Sequence, residues 1–177
     1  MPVRPLRRLT PRHALRWLAA GCVAAALAGC QPEPPQTAAT AVASQQAQRI
    51  VSLNLCTDQL LLQLVEPGRI AALSKLSHDP GLSVLEPQAR ALPIVRGDAE
   101  EVLLLKPDLV LVGRYTTRYT TQMLRDLGIP VLEVPLASSL AEVQQQITLV
   151  ADAVGEADKG RALVQALQQQ QQQLQQA

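Results

Sequence analysis

The stretch that decides the fold runs Asp98-Ala99-Glu100-Glu101-Val102-Leu103-Leu104-Leu105-Lys106-Pro107-Asp108-Leu109-Val110-Leu111-Val112. Its first part predicts a helix over residues 99–106. Asp98 can cap this helix, and the first turn carries acidic side chains, which are favourable at the positive end of the helix dipole. Pro107 ends this helix, and residues 108–112 then form a strand that is apolar on both faces. A helix that leads into such a strand is typical of a buried parallel sheet.

The same alternation of helices and apolar strands extends over residues 49–155. Strands are predicted at residues 49–55, 69–74, 93–95, 108–112 and 130–134, and helices at 57–66, 82–91, 99–106, 116–127 and 138–154. Thr57 and Asp58 are expected to cap the first helix, and Gly128 and Gly155 to close the last two. We therefore predict a doubly wound α/β lobe, with a parallel sheet covered by helices on both sides.

Composition narrows the functions that this lobe could perform. The chain has 177 residues, of which 47% are hydrophobic, but it has no Phe, one Trp and two Tyr. Its aliphatic residues predict a well-buried core, whereas so few aromatic rings disfavour sites built on base stacking or an aromatic cage. The formal net charge of +1 gives no reason to expect a nucleic-acid partner.

Residues 1–29 resemble the signal peptide of a bacterial lipoprotein. Five arginines without an acidic residue precede an apolar run at residues 17–28, which is too short to span a bilayer. The run ends in Leu27-Ala28-Gly29-Cys30, which resembles a lipobox. We predict that Cys30 carries a lipid anchor on an extracytoplasmic, periplasmic protein. Ordinary secretory cleavage beside an incidental cysteine is the alternative.

Residues 30–48 are predicted to form a flexible tether between this anchor and the lobe, because they are rich in Pro, Ala, Gln and Thr and have no hydrophobic period. At the other end of the chain, residues 156–177 are predicted to form one long helix with Leu163, Leu167 and Leu174 along a stripe. A solvated or coiled-coil helix is the alternative interpretation of this glutamine-rich segment.

Candidate binding residues follow the predicted strands. Ligands of open parallel sheets lie beyond the carboxyl ends of the strands. The loops at that edge carry four cationic side chains, a tyrosine and three other polar or reactive groups: Asn54, Cys56, Lys75, His78, Arg96, Arg114, Tyr115 and Arg118. This combination predicts a site for an anionic chelate, with ordinary solvated loop residues as the alternative.

Enzyme signatures are largely missing from the sequence. It contains no phosphate-binding loop, no dinucleotide fingerprint and no nucleophile elbow. His78 is the single histidine after the leader, so we expect no multi-histidine metal site and no cofactor. His78 is expected to face solvent or the ligand cleft. The alternative function, an extracytoplasmic enzyme, would use Cys56 and His78 on neighbouring loops.

Several segments together resemble a family of periplasmic binding proteins that feeds ABC importers of iron–siderophores, haem and cobalamin. They are Arg49-Ile50-Val51-Ser52-Leu53-Asn54, Leu60-Leu61-Leu62, Arg69-Ile70-Ala71, the block at 99–111, and Leu127-Gly128-Ile129-Pro130-Val131. The resemblance implies a non-enzymatic binder of two α/β lobes, with the ligand held between them and one long helix joining them. It also implies that Glu100 docks on the permease subunits.

Relative to that family, this chain is expected to cover only the first lobe, as residues 49–155, and the start of the interlobe helix, as residues 156–177. The second lobe would be absent from the chain, so a truncated, non-binding fragment is a further alternative. We expect a monomer whose partners are the permease, the ligand and, through the lipid anchor, the membrane.

The resemblance also ranks the ligands. Cobalamin binders of this kind place aromatic rings where this chain has Leu76, Ile94 and Gly113, whereas siderophore binders use an arginine and a tyrosine near the positions of Arg96 and Tyr115. An iron–siderophore is therefore favoured over cobalamin or haem. The predicted ligand contacts are Tyr115, Arg96, Arg114, Asn54 and His78.

Overall fold

The computed structural model describes residues 46–116 and 118–176. The predicted signal peptide, residues 1–29, lies outside these residues, as do Cys30 and all but the last three residues of the predicted tether. The predicted lipid anchor therefore stays a prediction.

The described residues form a five-stranded parallel sheet with helices on both faces. The elements are β1 (Ile50–Ser52), α1 (Leu55–Leu64), β2 (Ile70–Ser74), α2 (Glu86–Ala89), β3 (Ile94–Val95), α3 (Ala99–Leu104), β4 (Leu109–Gly113), α4 (Arg118–Asp126), β5 (Val131–Val134), α5 (Leu140–Ala153) and α6 (Ala157–Gln176). Short 3-10 turns at Pro67–Arg69 and Lys75–His78 flank β2. The strand order is β3-β2-β1-β4-β5, which confirms the predicted doubly wound α/β class.

Two apolar layers hold the helices on the sheet. On one face, side chains such as Ile50 and Leu111 pack with α1, α5 and α6. On the other face, Val110 and Val112 pack with α3 and α4, where Leu124 is fully buried. β4 supplies both layers from successive residues, and this explains why its sequence is apolar throughout.

The long helix α6 contacts α5 as far as Gln168, whose Nε2 donates to Oε1 of Gln144 at 3.0 Å. At Gly160, an added Cβ would lie 2.3 Å from the Cβ of Ala151, so the two helices approach as closely as a glycine allows. Of the three leucines on the predicted stripe, Leu163 and Leu167 contact the core, whereas Leu174 is exposed among the glutamines. Within the described part of the chain, no helix is both long and apolar enough to cross a bilayer.

A charged contact joins three segments at the amino edge of the sheet. Arg69, which precedes β2, donates from Nε to the carbonyl oxygen of Ala47 at 2.8 Å and from a terminal nitrogen to that of Val154 at 2.5 Å. Its other terminal nitrogen lies 2.6 Å from Oε1 of Glu156. We name these four residues the Arg69 clasp; it fixes the chain entering β1 to the corner between α5 and α6.

The predicted start of α1 was wrong. The helix begins at Leu55, and its N-cap is Asn54, whose Oδ1 accepts a hydrogen bond from the Cys56 amide at 2.9 Å. Thr57 and Asp58, the predicted caps, lie inside the helix and are buried. The strand predicted to reach residue 55 ends at Ser52 for the same reason, since capping takes the chain out of the sheet at Asn54.

Two further local predictions need correction. Asp98 occupies the N-cap position of α3, but its side chain makes no capping hydrogen bond. The carboxylate of Glu101 instead accepts a hydrogen bond at 2.8 Å from the amide of Arg96, which precedes the cap by two residues. The helix predicted over residues 82–91 is limited to Glu86–Ala89, because residues 79–85 form successive turns.

Candidate functional site

The predicted binding residues line up along the carboxyl edge of the sheet. Arg96 follows β3, the turn Lys75–His78 follows β2, Asn54 follows β1, and Arg114 follows β4 at its end. These four strands are consecutive neighbours, and strands lie about 4.8 Å apart. The row from Arg96 to Arg114 therefore covers three strand spacings, or roughly 14 Å.

The exposed polar members of this row are Lys75, Arg96 and Arg114, and Tyr115 beside Arg114 is exposed as well. The Arg96 backbone is held by Glu101, but neither guanidinium pairs with an acidic side chain of the described residues. Tyr115 has 80% of its surface exposed, so its ring contributes nothing to the core. The two guanidinium groups and the phenol face solvent at one edge of the lobe.

Asn54 packs between the first turn of α1 and the end of β4 at this edge. Its Oδ1 is engaged in capping α1, and its Nδ2 lies against the end of β4, where a Cβ added to Gly113 would approach it to 2.7 Å. Gly113 therefore allows the ends of β1 and β4 to pack tightly around one amide side chain. No hydrogen-bond acceptor for this Nδ2 occurs among the residues that the structure describes.

The ring of His78 forms a hydrogen bond with a backbone carbonyl group. Its Nε2 lies 2.9 Å from the carbonyl oxygen of Ala89, so the half-buried ring joins the turn after β2 to the end of α2. Cys56 is exposed in the first turn of α1, and within residues 46–116 and 118–176 no hydrogen bond joins it to His78. The arrangement lacks the hydrogen-bonded pair of nucleophile and base that nucleophilic catalysis uses.

No cluster of three or more His, Cys, Asp or Glu side chains suited to a metal ion occurs among the described residues. Apolar groups complete the edge instead. Leu76 and Ile94 are exposed beside the cationic row, and Leu82 and Val84 are exposed on the loop that follows β2. The edge thus offers arginines for anionic groups and aliphatic surface for the body of a ligand.

A buried polar network lies directly behind the edge. Asp58 is fully buried and accepts hydrogen bonds from Ser74 at both oxygens, 3.2 Å from the amide and 2.5 Å from the hydroxyl. Ser52 and Thr57 share a hydrogen bond of 2.7 Å, and Thr57 donates to the carbonyl oxygen of Asn54 at 2.8 Å. These bonds tie the ends of β1 and β2 to the first turn of α1.

Burial raises the pKa of Asp58 from 3.8 to about 6, although the hydrogen bonds from Ser74 lower it in part. This network was not predicted from the sequence, because Asp58 was assigned to a helix cap. One signal was available: Ser52 and Ser74 each end an apolar strand of the sheet, and polar residues so placed need a buried partner.

Comparisons with known proteins agree with this architecture. Residues 50–177 match the profile of a family described as periplasmic binding protein. A search of curated protein sequences finds no match.

Solved structures give similar folds. The periplasmic vitamin B12 binding protein BtuF of Vibrio cholerae is 24% identical with a TM-score of 0.61, over 73% of this chain and 50% of that one. The periplasmic haem-binding protein RhuT from Roseiflexus sp. RS-1 is 27% identical with a TM-score of 0.57, over 67% and 45%. The siderophore binding protein BauB is 20% identical with a TM-score of 0.57, over 75% and 49%. This chain spans about half the length of these structures.

Proposed function

Because the chain belongs to the periplasmic binding protein family, we propose that it acts as the substrate-binding component of an ABC importer, with an iron–siderophore as its ligand. The observation that carries this proposal is the exposed row of Arg96, Arg114 and Tyr115 at the carboxyl edge. The task of such a component is to capture the chelate and deliver it to the permease, and this requires no covalent chemistry.

The charge of the edge favours an anionic ligand. Guanidinium groups present paired donors that match the oxygen atoms of carboxylates and related anionic groups, and a tyrosine hydroxyl adds one further hydrogen bond. Leu76 and Ile94 supply aliphatic contact beside these donors. Small-molecule sites commonly combine apolar surface with a few polar groups that fix orientation in this way.

Haem is the strongest competitor, because RhuT is named as a haem-binding protein and is 27% identical to this chain. Two propionates would also suit two arginines. A bound haem iron needs an axial ligand, and because His78 Nε2 is already engaged with Ala89, that ligand would have to be the exposed phenol of Tyr115. Haem and an iron–siderophore would therefore compete for the same groups, and the ligand screen below separates them. Cobalamin is disfavoured since Leu76, Ile94 and Gly113 supply no aromatic ring.

The remaining parts of the proposal concern delivery. Glu100 is exposed in the first turn of α3, where it could pair with a cationic group of the permease. Cys30 would hold the protein at the membrane through its acyl chains, on the extracytoplasmic side. We expect the protein to act as a monomer in this role.

A thermal-shift screen tests the ligand. Ferric siderophores of hydroxamate, catecholate and carboxylate types, haem and cyanocobalamin would each be added to the purified chain, since a ligand that binds the folded state raises the melting temperature. We expect the largest rise with a ferric siderophore, and a smaller one when Arg96 or Arg114 is replaced by Gln. Arg161→Gln, on the exposed face of α6, removes the same charge as a control. A rise with haem or cyanocobalamin alone would overturn the iron assignment, and no rise with any of them would overturn the binding role of this chain.

A further inference from the structure

A second group of arginines lies on the flank of the lobe, between α4 and β5. A groove of about 340 Å³ is lined there by Arg114, Thr116, Arg118, Gln122, Arg125 and Glu133. We name it the α4–β5 groove. Arg114 lies where the groove meets the carboxyl edge, whereas Arg118 and Arg125 belong to α4 and Glu133 to β5.

The sequence of α4 places its polar side chains on this groove. Arg118, Gln122 and Arg125 are spaced i, i+4 and i+7, so they share one face of the helix. Glu133 comes from β5, the edge strand of the sheet. Val131 packs with the α3 and α4 layer, and because strand side chains alternate, Glu133 points to the same side.

The groove carries an excess of positive charge. Arg125 pairs with Glu133 at 3.2 Å, and each of these side chains is nearly half exposed. Arg114 and Arg118 form no ion pair with a described acidic residue. Three arginines and one glutamate therefore leave two positive charges uncompensated in a small concave space.

Hydrogen-bond donors add to this charge. The Thr116 Oγ1 accepts a hydrogen bond from the Gly113 amide at 3.0 Å, so its own proton remains to be donated. The positive end of the α4 dipole lies at Arg118. The volume is at the lower end of the range for small-molecule sites, which suits a compact anion better than a bulky chelate.

We propose that the α4–β5 groove binds a doubly charged phosphate group. Two uncompensated guanidinium charges match two negative charges, and the planar donors of arginine match phosphate oxygens in pairs. This binding goes beyond the proposed capture of a chelate and does not depend on it. The phosphate can come from free inorganic phosphate or from an anionic lipid headgroup, which the experiment separates.

The first arm of the test titrates the purified chain with inorganic phosphate at constant ionic strength and follows binding by calorimetry. We expect saturable binding that Arg118→Gln weakens at least about tenfold, as the loss of a charge-assisted contact implies. Glu133→Gln should instead tighten binding, because it removes the negative charge from the groove. Arg161→Gln on α6 should leave the affinity unchanged, since it alters net charge outside the groove.

The second arm measures flotation with vesicles of phosphatidylcholine alone or mixed with phosphatidic acid. Saturation by inorganic phosphate assigns a free ligand, whereas binding only to the mixed vesicles, lost in Arg118→Gln, assigns a headgroup. The proposal would be overturned if the chain bound neither inorganic phosphate nor the mixed vesicles. Equal weakening of binding by Arg118→Gln and Arg161→Gln would also overturn it. Should Arg118→Gln fail to fold, unchanged binding in Glu133→Gln would overturn it. None of these readouts uses a chelate, so a failure here is separate from a failure of the proposed importer function.

Discussion

Replacing Asp58 by Asn should make the protein more stable at neutral pH. The folded state raises the pKa of this buried carboxyl from 3.8 to about 6, so folding favours the protonated form. The stability that this group contributes is complete below pH 3.8 and is lost as the pH rises through about 6. A difference of about two pKa units corresponds to about 3 kcal/mol at pH values well above 6.

The asparagine variant isolates this contribution. Its amide oxygen can accept from the Ser74 backbone and its amide nitrogen can donate to the Ser74 hydroxyl, in the positions where Asp58 now accepts. Asp58→Asn therefore retains the packing but does not ionise. Its free energy of unfolding, relative to the unmodified chain, should increase by about 2 kcal/mol between about pH 4.5 and about pH 8.

Urea unfolding followed by circular dichroism across this pH range measures the difference directly. Asp152→Asn, a matched change on the exposed side of α5, controls for the removal of one charge. Asp58→Ala should destabilise the protein by about 1–3 kcal/mol at high pH relative to Asp58→Asn, because it abandons both contacts with Ser74. A constant difference between Asp58→Asn and the unmodified chain from acid to neutral pH would refute the reasoning.

Three other changes test separate parts of the structure and its proposed role. Gly160→Ala should lower the free energy of unfolding by about 1–3 kcal/mol, since its Cβ would collide with that of Ala151, whereas Gly68→Ala, which meets no atom within 4 Å, serves as the control in the same urea titration. Equal effects of the two glycine changes would contradict the close packing of α5 and α6. Glu100→Arg should reduce uptake of the ligand by cells without changing its affinity, and Glu100→Gln should have a smaller effect; a parallel loss of affinity would exclude a docking role. Cys30→Ser should move the protein from the membrane to the soluble fraction on centrifugation, and continued sedimentation with membranes would contradict the lipobox assignment.

The class of fold could be predicted because its determinants are local and repeated. β4 is apolar at every core position, Pro107 and Gly128 each separate a helix from a strand, and Gly155 separates α5 from α6. Such patterns depend on backbone chemistry and burial rather than on distant partners. The predicted ends of helices and strands were less accurate where several residues could cap the same helix. At the start of α1, Asn54, Thr57 and Asp58 are all acceptable caps, and contacts that are distant in sequence distinguish them: Asn54 packs against Gly113, whereas Asp58 is bonded to Ser74.

The site could be predicted only in outline. Strand order is enough to place Arg96 and Arg114 at one edge, because the carboxyl ends of parallel strands converge there. The roles of individual polar residues depend on contacts that are distant in sequence. His78 was expected to face solvent or ligand, yet it binds the carbonyl of Ala89, and the pairing of Arg125 with Glu133 requires the position of β5 beside α4.

The Arg69 clasp determines how a mechanical load would pass through the lobe. Tension on the chain entering at Gln46 reaches Ala47, whose carbonyl oxygen Arg69 holds together with Val154 and Glu156. The load would therefore pass into the corner between α5 and α6 at the amino edge. The carboxyl edge, at the opposite end of every strand, would keep its geometry while the lobe is pulled from this end.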